Sequence, residues 1–174
     1  MRTALRIAFV VVLASWPRGA SGLEPGRSLG QHVVQSWGVD EGLPQSTVYA
    51  VAQSGDGYIW AATQEGFVRF DGLNFTVFDM AAAPQIRNNL SLTLLAARDG
   101  SLYVGTGGGG LIHLQGEEIR TYKSEDGLPS GNVTTLYESS DGSIWIGTDA
   151  GVARRTVGAG DRQPDGPRSD GHRR

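Results

Sequence analysis

The chain has no cysteine among its 174 residues. That excludes a disulfide framework, a thiolate zinc site, a cysteine nucleophile and a lipidated N-terminal cysteine. It does not exclude an oxidising compartment, because a sufficiently large core folds without staples. Histidine is scarce, and His32, His113 and His172 show no metal-ligand spacing. Positive charge is not in excess: the formal net charge is −3, which argues against a nucleic-acid surface. No G-x-S-x-G elbow or other nucleophile motif is present. What the chain does have is 39% hydrophobic residues, enough for a core, and 26 glycines, which point to many tight turns. Its length has room for one domain.

The first 22 residues read as a secretory signal peptide. Arg2 and Arg6 give a positive start, and Ile7 to Trp16 is an apolar run of ten residues, too short to span a bilayer. Ala20-Ser21-Gly22 offers small residues for cleavage after Gly22. The competing readings are an uncleaved anchor and a buried strand. Removing this segment takes away Arg2, Arg6 and Arg18 and no acid, moving the net charge to −6.

A repeat of about 42 residues dominates the rest. Asp56-Gly57 recurs as Asp99-Gly100 and Asp141-Gly142. Trp60, Tyr103 and Trp145 keep the same spacing, and so do Thr63, Thr106 and Thr148. Gly66, Gly110 and Gly151 follow each threonine by three or four residues. Gly42-Leu43-Pro44 returns as Gly127-Leu128-Pro129, two periods later.

Each unit reads as short antiparallel strands. In the first, Val48 to Gln53, Tyr58 to Thr63, Phe67 to Phe70 and Asn74 to Phe78 are strands separated by turns at 54–57, 64–66 and 71–72. Asp-Gly between such runs is a hairpin signal, because glycine accepts the positive φ the turn needs. Four such strands in one period make one blade of a β-propeller. The same reading fits Leu90 to Tyr122, and fits Val133 to Arg155 with the fourth strand lacking. The expected fold is therefore all-β, a partial β-propeller of about three blades of four-stranded antiparallel sheet, with an N-terminal signal peptide and a disordered C-terminal tail. Residues 23–155 hold three repeats, at about 40–79, 83–125 and 126–155, preceded by an outer strand at 33–37. Trp37 precedes Tyr122 by 85 residues, so that strand matches a fourth, outer strand. It would complete the last blade only if a ring closed, and three blades are too few for that.

Recurrence separates packing from chemistry. A packing residue is needed in every blade, whereas a catalytic residue is needed once. Trp60, Tyr103 and Trp145 are therefore read as filling the wedge between blades, and the Asp-Gly, Thr and Gly positions as structural too. Gly105 to Gly110 formally matches a G-x-G-x-x-G dinucleotide fingerprint, but Leu111 to Leu114 after it is strand-like rather than helical. It is read as the turn of Thr63 to Gly66 with one more glycine. Asp40-Glu41 and Glu125-Asp126 are candidates for acid–base or calcium chemistry. Their recurrence before Gly-Leu-Pro fits a loop between blades whose polar groups satisfy turn amides. His113 takes the position of Arg69 and Arg154. That basic position is expected to be partly exposed, paired with a carboxylate of a neighbouring blade or facing the ring's centre. No catalytic, cofactor-binding or metal residue is assigned, and no cofactor is expected.

Residues 156–174 break the pattern inside a repeat. They hold four Gly, two Pro, four Arg and three Asp with almost nothing apolar, too little to offset the entropy of ordering. They are expected to be a disordered tail, and the abrupt loss of pattern suggests a truncated or frame-shifted reading frame. Each repeat borrows burial from its neighbours, so a short array is expected to be marginally stable and aggregation-prone.

Four phrases carry a resemblance: Trp37-x-x-Asp-Glu-Gly-Leu-Pro-Gln, Asp56 to Trp60, Glu65 to Gly72 and Asp141 to Thr148. They are similar to two-component regulator propeller repeats, and the similarity runs from about Gln31 to Arg155. The resemblance implies a periplasmic ligand-sensing segment of a two-component receptor, exported across the inner membrane. The output would be a histidine kinase or a diguanylate cyclase outside this chain, so no enzyme activity is expected here. The implied partners are further propeller blades, the receptor's signalling domains and a small-molecule or carbohydrate ligand. A homodimer of the full-length receptor is also implied, with membrane contact only through a downstream segment and no nucleic acid. The alternatives are a fragment of a propeller enzyme of the streptogramin lyase-like group and a propeller interaction module.

Overall fold

The computed structural model describes residues 34–156. The proposed signal peptide, Val33 and the tail from residue 157 lie outside the described residues. The chain divides into two compact units, residues 1–35 and 36–174, and every described strand lies in the second.

Among the described residues, eleven strands form three antiparallel sheets. The first sheet runs β1 (Val48–Gln53), β2 (Ile59–Thr63), β3 (Gly66–Phe70) and β4 (Phe75–Phe78), in that order. The second repeats it with β5 (Ser91–Ala96), β6 (Leu102–Thr106), β7 (Leu111–Gln115) and β8 (Glu118–Tyr122). The third stops after β9 (Val133–Glu138), β10 (Ile144–Thr148) and β11 (Gly151–Arg155). The strands are rich in Val, Ile, Leu and aromatic side chains, which suit a pleated, buried surface. Short turns between consecutive strands leave only the meander order.

Residues 34–38 run as irregular chain, and no strand covers the described part of 33–37. The reason is an edge: an outer strand needs a free third strand beside it, and among the described residues the third strand without an outer neighbour is β11, in the last blade. Trp37 instead packs edge-on against Phe70, ring centroids 5.2 Å apart.

The sheets stack face to face and approach most closely through their first strands, β1 beside β5 and β5 beside β9. One cluster seals the first sheet to the second: Trp60 and Phe67 meet Leu102, Val104, Ile112 and Leu114, with Ala83 and Ile86 of the connecting segment. An equivalent cluster seals the second to the third: Tyr103 and Leu111 meet Val133, Ile144 and Ile146, with Leu128 of the connection. The middle blade therefore buries one face against the blade before it and the other against the blade after it.

Candidate functional site

The recurring positions build three devices, each made once per blade. The first is the turn between strands one and two. Gly57, Gly100 and Gly142 close it by donating N–H to the carbonyls of Ser54, Ala97 and Ser139, at 2.9, 3.1 and 3.0 Å. Their φ values of +94°, +86° and +83° are the left-handed region that only glycine enters cheaply. The aspartates beside them brace the turn. Asp99 accepts the Ser101 N–H at 2.9 Å and its hydroxyl, and Asp141 accepts the Ser143 N–H at 3.0 Å and the Ser139 hydroxyl. Asp56 accepts the Ser54 hydroxyl. Burial works to raise the Asp99 pKa, but the Ser101 hydroxyl, the Ser101 N–H and the charge of His113 outweigh it, so the net shift is downward. Asp141 is held well below the usual carboxylate range, first by the Ser139 hydroxyl and the Ser143 N–H.

The second device locks strand two to strand three. Thr63, Thr106 and Thr148 donate their hydroxyls to the carbonyls of Gly66, Gly110 and Gly151 at 2.8, 2.7 and 2.9 Å. A Cβ on Gly110 would lie 2.1 Å from the Tyr122 carbonyl oxygen. A Cβ on Gly66 would meet the Phe78 oxygen at 2.5 Å. Glycine is needed there because the outer strand's backbone passes directly over the turn.

The third device is an aromatic with a basic partner. Register pairs Trp60 with Arg69, Tyr103 with His113 and Trp145 with Arg154. Cross-strand partners share a face, so the cation lies on the ring. The Arg69 guanidinium sits 4.6 Å from the Tyr58 ring and 5.9 Å from Trp60, and Arg154 sits 5.5 Å from Trp145. His113 stacks on Tyr103 at 4.5 Å and is buried. Of the expected partial exposure, Arg69 keeps it and His113 is buried; the antiparallel register places the position against the aromatic of its own blade. Arg154 does pair with a carboxylate at 2.6 Å, but it is Asp141 of the same blade.

The three aromatics share a register and not an environment. Trp60 is 5% exposed and Tyr103 is 0% exposed, each covered by the following blade, whereas Trp145 is 41% exposed. Burial raises the Tyr103 pKa, opposed by the Arg155 charge.

The other candidates resolve into loop geometry. Glu41 accepts the Gly38 N–H at 2.6 Å and Asp126 accepts the Lys123 N–H at 2.9 Å, each closing a short 3-10 turn before Gly-Leu-Pro. Leu43 and Leu128 then enter the core. The glycine run is tightly packed at two positions: a Cβ on Gly107 would meet Leu90 at 2.6 Å, and one on Gly109 would meet Asn88 at 2.7 Å. Gly108 and Gly110 donate N–H to the Gly131 carbonyl at 3.1 and 2.9 Å, tying the run to the third blade. The amides of Gly107, Gly108 and Gly110 are thus already engaged. Among the described residues no cluster of three metal-ligating side chains occurs.

Sequence reasoning missed two features. One is a link between blades: Arg98 Nε donates to Glu138 Oε1 at 2.9 Å, and Arg155 Nη1 donates to the Tyr103 hydroxyl at 2.9 Å. Neither position recurs with the same residue type, so periodicity could not expose it. The other is a register irregularity near the start of each first strand, at 48–50, at 91–93 and opposite 147–148. The extra residue is Tyr49, Leu92 or Thr134. Bulges redirect the side chain they add, and the three blades carry three different residues there.

Meandering sheets joined through their first strands and mated face to face define an array of β-propeller blades. Residues 42–65 and 127–150 each match the model of the two component regulator propeller. Those two segments are thus similar to that repeat. The two matched segments are the repeats with Gly-Leu-Pro.

Among solved structures, the chain is similar to the extracellular domain of BT3049, described as a hybrid two component system of B. thetaiotaomicron. Identity is 26%, the TM-score is 0.57, and the match covers 66% of this chain and 16% of that one. It is similar to PorZ of Porphyromonas gingivalis, a surface component of the type-IX secretion system, at 20% identity and TM-score 0.51, covering 63% of this chain and 17% of that one. A virginiamycin B lyase from Staphylococcus aureus follows at 14% identity and TM-score 0.50, covering 67% and 43%. The last two likenesses show the fold alone. The chain spans about a sixth of the first two structures. No curated protein matches it.

Proposed function

We propose that this chain is the first part of an extracytoplasmic ligand-sensing propeller of a two-component signal transduction receptor. The observation that carries the reading is the joint match: two repeats fit the two component regulator propeller, and the extracellular domain of a hybrid two component system is 26% identical over 66% of the chain. The fold adds a reason for the role. Three devices repeat in every blade and hold a rigid frame, while the bulged residues Tyr49, Leu92 and Thr134 vary on it. A sensor needs that division, because a ligand is read by positions free to differ. Ligand capture would bias a dimer equilibrium read across the membrane by an output domain outside this chain. The ligand class implied by the resemblance is carbohydrate breakdown products. Residues 1–22 serve as the export signal in this reading.

The test joins export and genetic context. Fusion of residues 1–37 to alkaline phosphatase should give an active enzyme on the far side of the inner membrane. The reading frame downstream should encode a membrane helix and a kinase or cyclase core. A phosphatase fusion retained in the cytoplasm, or a reading frame that ends after seven blades without a membrane helix, would overturn the proposal.

A further inference from the structure

The junction between blades is built twice with different side chains, and the second copy shows what the first leaves open. Between blades one and two lies a cleft of about 320 Å³. The first blade lines it with Asp56, Trp60, Arg69 and Phe78, and the second blade with Leu102, Leu114 and Glu117. Between blades two and three, Arg155 stands in the place of Leu114 and donates to the Tyr103 hydroxyl at 2.9 Å. The cleft there is lined by Arg98 and Glu138, which pair with each other at 2.9 Å. At the first junction Gly55 and Ala96 hold the places of Arg98 and Glu138, so no such clamp forms.

Arg69 is the group this arrangement leaves over. Its counterpart Arg154 donates to Asp141 at 2.6 Å and to the Ser143 hydroxyl at 3.0 Å. In the first blade Tyr58 takes the place of Ser143, and the Arg69 guanidinium lies 4.6 Å from the Tyr58 ring. The matching carboxylate, Asp56, accepts the Ser54 hydroxyl, whose oxygen accepts the Trp60 indole N–H at 2.9 Å. The Arg69 N–H groups meet no acceptor among the described residues, although the side chain is half-buried. A guanidinium offers a planar fork of donors that fits a carboxylate bidentately. Asp56 and Glu117 on the same cleft favour a cation beside them. Phe78, Leu102 and Leu114 supply an apolar wall between the two.

We propose that the cleft between blades one and two binds a free α-amino acid with an apolar side chain. The ligand's carboxylate pairs with Arg69, its ammonium with Asp56 and Glu117, and its side chain packs on Phe78, Leu102 and Leu114. The volume lies at the small end of ligand pockets, which run from about 300 to 1,000 Å³, and so suits a single small molecule. One cation and two anions line the cleft, so a zwitterion is matched at both ends, whereas a plain carboxylate meets two like charges. Occupancy ties blade one to blade two, as the Arg98–Glu138 pair ties blade two to blade three. The site goes beyond the receptor reading and does not rest on it.

Isothermal titration calorimetry on the purified chain tests this, with L-leucine and L-phenylalanine as probes. Both should bind saturably with a Kd of about 1 mM or below. Hydrocinnamate, which lacks the ammonium, and phenethylamine, which lacks the carboxylate, should each bind at least about 10-fold more weakly than L-phenylalanine. Arg69→Gln should weaken L-leucine at least about 10-fold with far-UV circular dichroism unchanged. If that variant unfolds, Arg69→Lys reads the same contact, because it keeps the charge and loses the fork. Glu117→Gln should weaken L-leucine about 3-fold or more. Arg154→Gln, at the equivalent position of the third blade, should leave the affinity as it is. The absence of saturable heat from either amino acid up to about 20 mM would overturn the proposal. Unchanged affinity in Arg69→Gln would overturn it as well. Hydrocinnamate binding as tightly as L-phenylalanine would overturn the pairing of an ammonium with Asp56 and Glu117.

Discussion

Strands β6 and β10 carry almost the same five residues, Leu-Tyr-Val-Gly-Thr and Ile-Trp-Ile-Gly-Thr. Every residue of β6 is buried, whereas β10 is buried only on the side of Ile144 and Ile146. Backbone, register and turn chemistry are shared, so the difference comes from the neighbours. The middle blade has one on each face, and the end blade has one. In a repeat architecture the contribution of a residue is set by which blade follows it, and identical letters carry different energies.

That contrast can be broken by substitution at equivalent sites. The largest effect belongs to the central aromatic. Tyr103→Ala should cost about 3–5 kcal/mol in urea unfolding, since it empties a fully enclosed site. Trp145→Ala should cost under about 1 kcal/mol, as a half-open site leaves little cavity. Equal losses would mean that the outer face of the third blade is covered. A smaller contrast lies in the turns. Gly110 and Gly142 have similar φ, +93° and +83°, but a Cβ finds the Tyr122 oxygen at one and open space at the other. Both alanine variants should lose about 1–2 kcal/mol from the left-handed backbone. Gly110→Ala should lose about 1–3 kcal/mol more from overpacking.

The smallest contrast is in acid. Asp99 and Asp141 both have lowered pKa in the fold. A depressed folded pKa stabilises above the unfolded value, about 3.8, and that stabilisation is lost as pH falls through the folded pKa. Asp99→Asn and Asp141→Asn should therefore lower Tm at pH 7. The gap from the unsubstituted chain should close below about pH 4 as its own aspartates protonate. Asp141 is displaced further, so its gap should persist to lower pH than that of Asp99. A gap that widened on acidification would reverse the sign of the argument.

Much of the frame was legible in the letters. The Asp-Gly turns, the Thr-to-Gly lock and the aromatic on strand two all recur, and recurrence is visible without coordinates. The glycine run was legible as a turn because register overrode the dinucleotide motif. The basic position was not legible: spacing places Arg69, His113 and Arg154 on one strand, but only cross-strand pairing sets them on the rings of Trp60, Tyr103 and Trp145. Arg98 and Glu138 are 40 residues apart and occur in one junction only, so no period announces them. The bulges at Tyr49, Leu92 and Thr134 escape for a related reason. A bulge is a mismatch between two strands, and a single strand's sequence does not contain it.

The sequence by itself determined the blade: its strand order, its turns and the positions where glycine is obligatory. These follow from local backbone sterics and from a period that any reader of the chain can count. Only the tertiary structure decided which of three equivalent aromatics is buried, which cation lies on which ring and which face stands open. Those depend on the stacking of one blade on the next, and burial is a property of the pair of surfaces rather than of either strand.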